Sequence, residues 1–125
     1  MDKEIVGVLG PGGLYGRADV AANRIRFDRT SVGPDEQVEV TKPDGKFALR
    51  FVNANKIINF PQTWGADSPS GGFVRQFELR DPDKRGGDES PDVVTMPDGL
   101  IVAAVHHESD GRKFVSAPLT LVRGV

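Results

Sequence analysis

Polar and apolar residues alternate along this chain over short stretches and rarely for longer. Ile25 and Phe27 are set against Arg24, Arg26 and Asp28, and Phe77 and Leu79 against Gln76, Glu78 and Arg80. That is the period of two expected of a strand with one face in a core. Strands are predicted over residues 4–9, 14–20, 23–28, 36–41, 47–52, 56–60, 73–80, 93–96 and 100–106, with two more within 113–122. A helical period has no room to develop, because fifteen glycines and nine prolines are spread evenly through 125 residues. About ten short strands joined by Gly/Pro turns predict an all-β domain, a closed barrel or a sandwich.

The turns repeat. "VTKPDGKFAL" (40–49) and "VTMPDGLIVA" (94–103) share Val-Thr-x-Pro-Asp-Gly before an apolar strand, and "VLGPGGLYG" (8–16) places Pro11 and Gly13 in the matching positions. Proline presets φ at the first turn position and glycine supplies positive φ two residues on. The glycine-rich stretch 8–16 does not read as a phosphate loop. No Gly-Lys-Ser/Thr ends it, its glycines miss the Gly-x-Gly-x-x-Gly spacing, and a strand follows where an anion site needs a helix N-terminus. A first hairpin turn, with Tyr15 opening the return strand, is the expectation.

Length sets one domain, residues 1–125, large enough to bury a core without staples. Absence of cysteine removes thiolate chemistry and disulfides. Sixteen basic and eighteen acidic side chains, interspersed, give a net charge of −2. Neither nucleic acid nor a membrane surface is an expected partner of so balanced a surface. The start "MDKEIVGVLG" lacks the basic and apolar regions of a signal peptide, so the chain is expected to be cytoplasmic or part of a larger assembly.

Residues 20–58 resemble the fascin-like β-trefoil repeat. The resemblance is carried by "ANR" (22–24), "DRT" (28–30), "GPDEQVEV" (33–40), "DGKFALR" (44–50) and "NANKII" (53–58), with "RQFELR" (75–80) and "APLTLVRG" (117–124) in the place of later closing strands. Asp35 stands where the family has Trp, Val38 where it has Phe and Asn55 where it has Gly. The resemblance implies a β-trefoil of three repeats, a six-stranded barrel closed by three hairpins; a β-sandwich is the alternative. The family includes bundling proteins and sugar-binding modules, so it implies recognition in place of catalysis.

Trp64, the single tryptophan, lies in the polar loop "QTWGADS" with Gln62 and Asp67. A flat ring covers the C–H face of a pyranose while amides and carboxylates bind its hydroxyls; the same ring otherwise packs beneath its own loop. Asn53 and Asn55 supply amides to such a ligand, or the left-handed geometry of a turn. The expected site is Trp64, Gln62, Asp67, Asn53 and Asn55, binding carbohydrate without cofactor or metal. The alternative is a structural or protein-interaction module.

Other groups point elsewhere only weakly. Asp81, Asp83, Gly86, Glu89 and Asp92 fall on EF-hand positions, but Arg85 interrupts the ligand set and no helices flank it. His106 and His107 stand together at the end of the strand predicted over 100–106, on opposite faces, and no Gly-x-Ser-x-Gly elbow exists for either to serve. Arg24, Arg26 and Arg29 beside Asp28 suit an acidic partner or the charged outer face that keeps a strand soluble. No catalytic residue is expected.

Overall fold

The computed structural model describes residues 3–42, 47–60, 77–84, 90–109, 112–116 and 118–125. Twelve strands run through them: β1 (Glu4–Leu9), β2 (Tyr15–Asp19), β3 (Arg24–Arg29), β4 (Val38–Thr41), β5 (Ala48–Phe51), β6 (Lys56–Asn59), β7 (Glu78–Arg80), β8 (Asp92–Thr95), β9 (Ile101–Ala104), β10 (His106–Ser109), β11 (Arg112–Val115) and β12 (Leu119–Val122). The protein is all-β. Three short 3-10 turns, Pro11–Gly13, Pro34–Glu36 and Pro82–Lys84, are the helical elements among the described residues.

Every strand pairing is antiparallel. The main sheet runs β2-β3-β7-β6-β5-β4-β1-β12-β9-β8, and β10 pairs β11 alone. A further pair, Leu9 with Tyr15, joins β1 to β2, so the path from β2 through β3, β7, β6, β5 and β4 to β1 returns on itself. The core is one cluster, drawn from these strands and from β9 and β12. Val6, Val8, Ile25, Val38, Leu49, Phe51, Ile58, Phe60, Leu79, Ala103, Leu119 and Leu121 are buried there. β1, β4 and β12 contribute alternate positions to it (Val6/Val8, Val38/Val40, Leu119/Leu121), as the sequence alternation requires. Phe77 meets Phe27 and Phe60 edge-to-face, at 6.0 and 5.4 Å between ring centres, the favoured geometry for aromatic pairs.

The glycine-rich stretch is a tight corner between β1 and β2. Gly12 (φ 82°) and Gly13 (φ 75°) take the left-handed backbone. Gly16 has a different reason: a Cβ there would lie 2.6 Å from Ile25 Cγ2 and 3.0 Å from Phe27 Cε1. The strand can cross the core closely only without a side chain.

Three sequence readings are corrected. The turns at 11–13 and 97–99 are not equivalent: the first joins β1 to β2, whose register otherwise belongs to β3, while the second closes the full β8–β9 hairpin. Residues 43–46 fall outside the described residues, though they too connect a full hairpin, β4 with β5. Residues 100–106 do not form one strand. The chain leaves β9 at Val105, whose N–H donates to Ser116 Oγ (2.9 Å) and whose carbonyl accepts from Ser116 N–H (2.9 Å), tying off the base of the β10–β11 hairpin. His106 and His107 therefore open β10, opposite Val115 and Phe114. Finally, Glu36 does not begin β4. Gly33-Pro34 starts a 3-10 turn, and buried Glu36 accepts the Gly33 N–H at 2.8 Å through Oε1.

Candidate functional site

Two turns with the pattern Val-x-Ala-Asn-(Arg/Lys)-Ile join neighbouring strands, residues 20–25 between β2 and β3 and residues 52–57 between β5 and β6. In each the asparagine takes φ +54°, at Asn23 and at Asn55, a left-handed position that asparagine tolerates better than most residues. The Asn55 N–H closes the second turn on the Phe51 carbonyl at 2.9 Å. The turn reading of Asn55 therefore holds, and its side chain still projects from the surface.

The second turn gathers polar groups from three elements. Asn53 Nδ2 donates to Asp35 Oδ1 at 2.5 Å, Arg50 Nη1 donates to Asn55 Oδ1 at 3.2 Å, and Arg50 Nη2 donates to Glu39 Oε1 at 3.3 Å. Asn53, Asn55 and Asp35 are exposed. The result is a surface patch of two amides, two carboxylates and one guanidinium in two hydrogen-bonded sets, Asn53 with Asp35 and Arg50 with Asn55 and Glu39. Asn53 and Asn55, both expected in the site, are brought into one turn. Trp64, Gln62 and Asp67 lie outside the described residues. Asp35, Glu39 and Arg50 were not anticipated in a site. Asp35 carried a signal, because it replaces the tryptophan of the resembled repeat; Arg50 and Glu39 carried none, since only the β4–β5 register sets them opposite each other.

On the outer side of β2 and β3, Arg17 and Arg26 stand directly opposite each other. Like charges in that relation repel. Each guanidinium turns diagonally to an acid on the other strand: Arg17 Nε and Nη2 donate to the two oxygens of Asp28 at 2.9 and 3.0 Å, and Arg26 pairs with Asp19. The Arg17 hydrogen bond holds the Asp28 carboxyl below its ordinary range. Arg26, then the Ala22 N–H, does the same for Asp19. The arginine face is thus largely neutralised by its own acids. Arg24, opposite Glu78, keeps a buried Nε with no hydrogen-bond partner among the described residues.

A cavity of about 200 Å³ opens at the end of the molecule where β1 begins and β12 ends. Val6, Val40, Phe47, Val93, Ile101 and Leu121 line it, and Glu4 and Arg123, ion-paired at 2.5 Å, stand beside them. Nothing in the sequence pattern marked it, because its lining comes from residues scattered over the whole chain. Among the described residues no three His, Cys, Asp or Glu side chains are placed to hold a metal ion. Asp81, first of the EF-hand-like series, pairs with Lys56, and residues 85–89 of that series lie outside the described residues. Compared with family models, curated proteins and solved structures, the chain matches none.

Proposed function

We propose that this chain is a non-catalytic recognition module of β-trefoil architecture that binds carbohydrate at the turn between β5 and β6. The architecture is supported by the order of pairings. Strands fall into three runs of four, β1–β4, β5–β8 and β9–β12, in each of which the middle two pair as a hairpin. Outer strands of the runs follow one another as β5-β4-β1-β12-β9-β8. A β5–β8 contact would close that series into a six-stranded ring; Phe47, next to β5, and Val93 of β8 already line one cavity. Cross-strand NOEs between β5 and β8 test the closure, and two separate sheets would refute it.

The ligand class rests on one observation, the surface patch of exposed Asp35, Asn53 and Asn55 with half-buried Arg50 and Glu39 behind them. Sugar hydroxyls both donate and accept, so a site for them needs amides, carboxylates and cationic donors held in fixed directions. These five side chains supply all three kinds. Resemblance to a family that contains sugar-binding modules points the same way. Trp64, Gln62 and Asp67, which follow β6 in sequence, are proposed to complete the site, with the indole against a pyranose face. A glycan array followed by NMR titration of the full chain tests this. The side-chain amides of Asn53 and Asn55 and the Trp64 indole should shift together on adding a retained sugar, and Asn53→Ala should weaken binding about tenfold. Absence of any sugar response, with Trp64→Ala indistinguishable from the parent, would refute it.

A further inference from the structure

The cavity at the start of β1 is an unfilled end of the core. Val6 of β1, Val40 of β4 and Leu121 of β12 are its buried walls, and Val93 of β8, Ile101 of β9 and Phe47, just ahead of β5, are its half-buried ones. The first three belong to the core cluster and the other three pack against it. Its volume of about 200 Å³ exceeds the ~150 Å³ at which an apolar cavity takes up benzene. Apolar walls give water no hydrogen-bond partners, so an apolar body is the favoured occupant.

Polar groups stand at the rim. Glu4 and Arg123, two residues outward from Val6 and Leu121 on the same inward side, form an ion pair at 2.5 Å, and Thr95 is exposed beside them. Lys42, two residues beyond Val40 and exposed, holds its Nζ 4.9 Å from the centre of the Phe47 ring. Glu4 and Arg123 cancel, so Lys42 leaves this rim with one net positive charge among the described residues.

We infer that the cavity binds a small monocarboxylate whose body is a single ring or a branched chain of similar bulk. The body occupies the apolar space, and the carboxylate is held at the rim by Lys42 and Arg123. A guanidinium carries five N–H donors, more than one carboxylate uses, so Arg123 can serve the ligand while paired with Glu4. An ammonium head would meet repulsion from the same two cations. The cavity shares no residue with the turn between β5 and β6, so this inference does not rest on the carbohydrate reading.

Methyl NMR titration of the full chain with benzoate tests it, beside benzyl alcohol and benzylamine, which carry the same ring with neutral and cationic heads. Benzoate should shift the methyl groups of Val6, Val40, Val93, Ile101 and Leu121 together, with a Kd of about 1 mM or below. Benzyl alcohol should bind about threefold more weakly and benzylamine about tenfold. Val93→Phe, which puts a ring into the space from a half-buried wall, should abolish these shifts. Lys42→Gln, at an exposed side chain, should weaken benzoate about threefold and leave benzyl alcohol unchanged, and it decides the matter if Val93→Phe does not fold. The inference is overturned by methyl groups that stay unmoved up to about 10 mM benzoate, by shifts scattered outside the cavity, or by benzylamine binding as tightly as benzoate. Benzoate affinity that Lys42→Gln leaves intact overturns it too.

Discussion

The outer surfaces of β2 and β3 and of β8 and β9 are made by the same alternation, yet one carries Arg17, Asp19, Arg26 and Asp28 and the other Val94, Met96, Leu100 and Val102. Beneath both lies the same core, with Ile25 under the first and Ala103 under the second. On the charged face, repulsion between Arg17 and Arg26 is offset by diagonal acids. On the other face Val94, Met96 and Leu100 are about half exposed. Outer-face chemistry is therefore where the two halves of the molecule differ most.

The largest expected effect lies under the charged face. Phe77→Ala removes a buried ring that meets both Phe27 and Phe60, and should cost about 3–5 kcal/mol in urea unfolding. A loss below about 1 kcal/mol would mean that this half of the core is not packed as described. Gly16→Ala comes next. Its methyl group would press on Ile25 and Phe27, and a destabilisation of about 1–3 kcal/mol is expected from the same measurement. Val94→Thr, on the apolar face, should change unfolding by no more than about 0.5 kcal/mol, which separates that face from the core directly.

The smallest effect concerns acid. Asp19 and Asp28 titrate below their ordinary value of 3.8 in the folded chain, held down by Arg26 and Arg17 respectively. Depressed carboxyl pKa values contribute stability that is complete above 3.8 and is lost as pH falls through the folded values. The double variant Asp19→Asn with Asp28→Asn should flatten the pH dependence of the thermal midpoint below about pH 4 and leave it nearly unchanged at pH 7 in about 1 M salt. The Arg17–Asp28 pair is exposed and the Arg26–Asp19 pair only part-buried, so the effect is modest. An unaltered acid limb would show that these pairs do not persist in solution.

Much of the fold was legible because alternation is a local property. Residues 4–9 read as a strand and are β1, and the inward turn of Ile25, Phe77 and Leu79 follows from period two alone. What alternation misses is where the chain changes sheets. "IVAAVHHE" is apolar enough to pass for one strand, and only the pairing of Val105 with Ser116 ends β9. Local turn chemistry also proved a poor guide to symmetry. Proline and glycine recur at 11–13 and 97–99 because both corners need similar backbone angles, not because they hold equivalent places. The candidate site was half legible. Asn53 and Asn55 stand out as turn residues, whereas Asp35, Glu39 and Arg50 join them only through register between β4 and β5 and a turn 18 residues away.

The contrast between the two faces is tested most directly by amide NMR spectra of the full chain recorded across a salt titration. Screening the ion pairs should shift β2 and β3, with β8 and β9 unmoved. Shifts concentrated on β8 and β9, or none on either face, would contradict it.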